Sequence, residues 1–112
     1  MFAFITRPKY HSQELLIEFD SYSNEKMQLL INEINTTLLS SGITCTNIQN
    51  LWMNDETVYT MEGEFGTISL SIDIWDLAFI TAANNQAIKN IETILLESGK
   101  FIKKETDYEK YI

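Results

Sequence analysis

The residues from Thr67 to Ile74 alternate without a break. Ile68, Leu70, Ile72 and Ile74 fall on one side, and Thr67, Ser69, Ser71 and Asp73 on the other. A period of two with one polar side describes a strand buried on one face only, which is the habit of antiparallel sheets. A chain that contains such a strand must supply neighbours for its edges and a layer for its apolar face.

Both are legible nearby. Met27, Leu30, Ile31, Ile34 and Leu38 recur at three- and four-residue spacing, which predicts a helix. Ser21 or Ser23 offers its N-cap, and Gly42 its end, with Ile43 placed to pack back on the last turn. A second helix starts near Asn84 or Asn85, carries Ile88, Ile91 and Leu95 as its stripe, and closes at Gly99. Strands are expected over 2–6 and 14–20, joined by a turn at Arg7-Pro8 and able to pair as a hairpin. Further strands are expected over 46–53, 57–61, 77–81 and 101–106, with turns at 54–56 and at Glu62-Gly63-Glu64. The order is ββ-α-ββββ-α-β. It predicts a single α+β domain over 1–112, with a mainly antiparallel sheet and two helices packed on one side. Ile31, Ile34, Leu38, Leu39, Ser41 and Gly42 match Ile88, Ile91, Leu95, Leu96, Ser98 and Gly99 at a constant offset, as a duplication would. Convergence of amphipathic helices that end at glycine explains the match more simply.

Composition narrows the function. At 112 residues and 45% apolar content the chain can fill one core. Its apolar runs are too short to span a bilayer, and its N-terminal residues lack the pattern of a signal peptide, so a cytoplasmic protein is expected. One cysteine, Cys45, agrees with a reducing compartment and reads as a small core residue. His11 reads as a solvated loop residue. A Cys45–His11 nucleophile pair is the alternative reading of these two. Neither zinc-ligand spacing nor a glycine-rich phosphate loop occurs, so no cofactor and no metal is expected.

The net charge of −8 argues against nucleic acid as a partner, because phosphate binding needs clustered Lys and Arg. The distribution says more. Met27 to Ile88 contains no Lys or Arg, yet it holds Glu33, Asp55, Glu56, Glu62, Glu64, Asp73 and Asp76. Such a field of one sign steers a basic partner inward. Trp52 and Trp75 flank the acidic strands, and Tyr59 extends them. Tryptophan belongs to the core by default, but it also anchors interfaces. The expected binding surface is Asp55, Glu56, Glu62, Glu64, Asp73 and Asp76 with Trp52, Trp75 and Tyr59. Acid pairs among Glu62, Glu64, Asp73 and Asp76 also admit acid/base work or a divalent cation. A solvated acidic face is the plainer reading.

The run Ile74 to Ile91 (IWDLAFITAANNQAIKNI), continuing to Phe101 and Asp107-Tyr108, resembles small bacterial immunity proteins. Those proteins accompany contact-dependent growth inhibition and related polymorphic toxins. The resemblance covers about the last third of the chain, together with its size and charge. It implies a cytoplasmic, non-catalytic protein that neutralises one cognate toxin domain in a one-to-one complex. The acidic middle suits a basic nuclease toxin. A regulatory or homodimeric interaction module is the alternative.

Overall fold

The structure, a computed structural model, describes residues 1–51, 56–73 and 77–110, without the side chains of Asn24 and Lys110. The elements are β1 (Phe2–Pro8), β2 (Leu15–Phe19), α1 (Asn24–Ser40), β3 (Thr44–Leu51), β4 (Glu56–Gly63), β5 (Gly66–Ile72), β6 (Ala78–Ala82), α2 (Asn85–Glu97) and β7 (Phe101–Lys103), followed by a short 3-10 turn at Tyr108–Lys110. This is the predicted order. The seven strands form one sheet, β3-β4-β5-β6-β2-β1-β7, antiparallel throughout except where β7 runs parallel to β1.

Register explains the layering. One transverse row of the sheet reads Thr6, Ile17, Ile80, Leu70, Tyr59, Ile48 from β1 to β3. These residues face the helices, and Ile17, Ile80 and Leu70 are fully buried. The core joins them to Leu30, Ile34 and Leu38 of α1 and to Ile88, Ile91 and Leu95 of α2. Burial fades along the row, to a half-buried Tyr59 and an Ile48 that is 57% exposed. The helices thus cover the sheet's centre and its β1 side; α1 approaches β3, but the residues of β3 up to Asn50 stay exposed. The adjacent row, Ile5, Glu18, Phe79, Ser71, Val58, Gln49, points away from the helices and forms the open face.

Polar clips hold the layers in place. Asn84 caps α2, its Oδ1 accepting from the Ala87 N–H at 2.8 Å. Glu92 of α2 accepts from Thr6 Oγ1 at 2.6 Å and from Lys103 Nζ at 3.0 Å, tying the helix to β1 and β7. The end of α1 follows expectation: Gly42 takes φ +82°, Ile43 is buried, and the Ile43 N–H returns to Leu38 O.

Two expected turns move. β1 continues through Arg7-Pro8, and the chain reverses between Lys9 and Glu14 instead. Proline is tolerated here for a reason of parity. Asp20 N–H donates to Ala3 O and Lys9 N–H to Glu14 O, so odd residues of β1 bond to β2. Pro8 therefore points its nitrogen to the side of β7, which pairs only with Phe2 to Phe4, and no ladder bond is lost. The second turn sits at Glu64-Phe65, with Gly63 paired to Gly66 inside the hairpin. Gly63 is required by packing, since a Cβ there would lie 2.8 Å from Ile43 Cγ1. The strand expected over 101–106 ends at Lys103.

Gly63→Ala should therefore destabilise the fold by about 1–3 kcal/mol through overpacking, read as a lower urea midpoint at unchanged slope. Ile43→Ala should also destabilise. The double variant should lose less than the two single losses together, because removing Cγ1 makes room for the new methyl. Full additivity would show that the contact is absent.

Candidate functional site

The acidic strands bury one face beneath the helices and turn the other to the open side of the sheet. Alternation from Met61, which is buried beneath the helices, places Glu62, Thr60, Val58 and Glu56 on the open face of β4. On β5 the same face carries Ser69 and Ser71. Asp73 follows at the same end of the sheet as Glu56, just beyond the Thr57–Ile72 pair. Glu62 lies at the other end, about 20 Å from Glu56 at the rise of a strand. Glu64 occupies the β4–β5 turn and borders an open cleft with Phe65, Asn84, Gln86 and Asn90.

The structure thus separates the described acids into two groups. Glu56 and Asp73 belong to one end, Glu62 and Glu64 to the other, with the uncharged Val58, Thr60, Ser69 and Ser71 between them. Tyr59 lies on the opposite face from Glu56 and Glu62 and packs against the core. Trp52, Asp55, Trp75 and Asp76 lie outside the described residues, as does the turn expected at 54–56 apart from Glu56. Asp73 is engaged with its own loop, where its N–H donates to Leu77 O and its Oδ1 accepts from the Leu77 N–H, each at 3.1 Å.

Among the described residues the ion pairs are Arg7–Glu18, Lys9–Glu14, Lys100–Glu33, Lys103–Glu92 and Lys104–Asp20. Asp20 raises the Lys104 pKa, first by accepting its hydrogen bond and then by its charge. Arg7 is nearly buried on the open face, where Glu18 accepts from its Nε and its Nη2. Its guanidinium lies 5.4 Å from the centroid of the Tyr10 ring and 5.8 Å from that of Phe79. The cations of the first and last strands are thus largely matched by their own neighbours. Among the described residues, Glu56, Glu62 and Glu64 form no ion pair, as is also true of Glu25, Glu97, Glu105, Asp107 and Glu109 on the helices and in the C-terminal segment; what distinguishes the first three is that the nearby strands carry no base. Their side of the sheet keeps its negative charge.

Cys45 is exposed on β3, not part of the core as expected. The chain bulges between Cys45 and Asn47, at the sheet's edge. His11 is exposed, as expected, in the β1–β2 turn at φ +55°. At least four strand spacings separate that hairpin from β3, about 19 Å, so the two side chains do not meet. Among the described residues no group of His, Cys, Asp and Glu could hold a metal ion. None of the described helices is long and apolar enough to cross a membrane.

The strand expected over 46–53 is β3, shifted to Thr44–Leu51; what the sequence did not announce is that it forms an exposed edge of the sheet. All its residues up to Asn50 are exposed, and it carries no charge. The signal was present, as eight residues from Thr44 to Leu51 without Lys, Glu, Asp, Arg or Pro. Comparison with protein-family models, curated proteins and solved structures finds no match for the chain.

Exposure of Cys45 predicts that the folded protein takes up one equivalent of a thiol reagent without denaturant, at a rate near that of a free cysteine. A thiol that reacts only at the rate of unfolding would contradict the bare β3.

Proposed function

We propose that this chain binds and neutralises a cognate protein toxin in the cytoplasm, in a one-to-one complex, and that it contributes no catalysis. The observation that supports this reading is the charge of Glu56 and Glu62, free of ion pairs, on the open face of β4, with Glu64 in the adjoining turn and no base on the neighbouring strands. A face of one sign raises the encounter rate with a surface of the other sign, and buried contacts then set the lifetime of the complex. Nuclease active sites carry Lys, Arg and His to hold phosphate, so a carboxylate surface can occupy them in its place. The resemblance of Ile74 to Ile91 to immunity proteins points the same way.

A second reading, a regulatory or homodimeric interaction module, draws on the exposed β3. Sedimentation separates the two. A monomer at all concentrations removes the homodimer.

Co-expression with the product of the neighbouring upstream gene is the direct test. Binding together with rescue of growth is expected, and failure of both would remove the toxin reading. For the surface, a Glu56→Lys/Glu62→Lys variant should associate with that product roughly tenfold more slowly at low salt, the difference shrinking as salt rises. An unchanged association rate would exclude this face. Asp73 is a poor choice for charge reversal, because its carboxylate also holds the Leu77 backbone.

A further inference from the structure

The two edges of the sheet are built differently. β7 is three residues long and is flanked or occupied by Lys100, Lys103 and Lys104. Short length and lysine are the usual protections of an edge against strand pairing. β3 is eight residues long, uncharged and free of proline, and only the bulge between Cys45 and Asn47 interrupts it.

The hydrogen-bond parity of the sheet shows which backbone groups are free. In an antiparallel ladder successive residues turn their N–H and C=O to alternate neighbours. Asp73 bonds toward β6, through Leu77. Ser71 therefore does the same, and Leu70 and Ile72 bond toward β4. Their partners Tyr59 and Thr57 bond back to β5, so Val58 and Thr60 bond to Gln49 and Asn47 of β3. Ile48 and Asn50 are left with N–H and C=O directed out of the sheet. The side chains agree: Asn50 Oδ1 accepts from Thr57 Oγ1 at 3.0 Å, across a pair whose backbones do not bond to each other.

We propose that this edge accepts an extended strand carrying Lys or Arg, donated by the partner, which extends the sheet beyond β3. The inference rests on the toxin-binding reading and specifies how the partner docks. Main-chain bonds to Ile48 and Asn50 supply affinity, and the exposed Ile48 side chain supplies an apolar contact. Charge selects the occupant. β4, the strand beside the edge, carries Glu56 and Glu62, and no base occurs between Met27 and Ile88. A second copy would bring the same sign against this ribbon, whereas a basic strand neutralises it.

The test uses isotope-labelled protein and a cyclised β-hairpin peptide whose outer strand alternates Lys and Val, beside the same peptide with Glu for Lys. With the Lys peptide, the Ile48 and Asn50 amides should shift and exchange roughly tenfold more slowly, and added salt should reverse the effect. Equal binding of the Glu peptide, shifts confined to another surface, or no protection at millimolar peptide would each overturn the proposal. So would protection of the same amides in the protein alone with dimer in sedimentation, since a second copy would then be the occupant.

Ile48→Pro removes an outward N–H without touching the ladder to β4. Ile48→Thr keeps that N–H and serves as its control. In the growth-rescue assay, a folded Ile48→Pro should lose rescue and Ile48→Thr should retain it. Full rescue by folded Ile48→Pro would overturn the edge and leave toxin neutralisation standing. Capture of the Lys peptide at Ile48 and Asn50 by a chain that rescues nothing would remove the toxin and leave the edge.

Discussion

Burial of one face of the sheet beneath two helices is the constraint on which the other features depend. Ile17, Ile68, Leu70 and Ile80 lose all contact with water there, each worth about 1.5–3 kcal/mol relative to an exposed side chain. The helices can reach only so far. α2 lies against β2, β6 and β7, and α1 lies against α2 and the start of β3. Everything beyond their reach, including most of β3 and the whole open face, is left to be polar or to find its own cover. Near β1 the cover is local: the flat guanidinium of Arg7, neutralised by Glu18, lies beside Tyr10 and Phe79. Toward β3 no comparable device occurs among the described residues, and there Glu56 and Glu62 stand without an ion pair.

The elements were legible because their signals are local. The alternation around Leu70, the stripe of α1 and the glycine endings depend only on residues a few positions apart, and the structure keeps all of them. What depended on distant neighbours was not legible. Pro8 looked like a turn because the free side of β1 at that point is decided by β7, more than ninety residues later. Gly63 looked like a turn glycine because nothing in its own segment announces that Ile43 needs its space. Cys45 looked like core because cysteine usually is, and only the sheet order puts it on an uncovered edge. The acids followed the same rule. Their sign and abundance were plain in the sequence, but the register separates Glu56 from Glu62 along one strand and turns Tyr59 to the other face.

Sheet order also gives a physical meaning to the echo between the helices. The hairpin β1–β2 leads into α1, and the hairpin β5–β6 leads into α2, with β2 and β6 side by side at the centre. After each helix, a glycine at positive φ hands the chain to an edge strand: Gly42 to β3 and Gly99 to β7. β7 lies next to β1 and parallel to it. β3 is likewise parallel to β5, but β4 stands between them. The two halves face the same problem, an abrupt helix end followed by a buried residue, Ile43 or Phe101, and similar residues solve it. That common demand accounts for the matched positions without a shared origin.

The insertion of β4 is what makes the two edges unequal. It places β3 at the far edge of the sheet, where its residues up to Asn50 stay exposed, while β7 lies beside β1 and against α2. A hydrophobic β3 there would invite aggregation, and a lysine-guarded one would close the edge as β7 does. The chain takes neither course. It keeps β3 uncharged and mostly polar, with Ile48 as its one large exposed apolar side chain among the described residues, and it places Glu56 and Glu62 on the strand behind it. Polar side chains suit an edge that faces water, and the like charge of Glu56 and Glu62 disfavours pairing with a second copy. The backbone groups of Ile48 and Asn50 point out of the sheet, which is the opening that the proposed basic strand would fill.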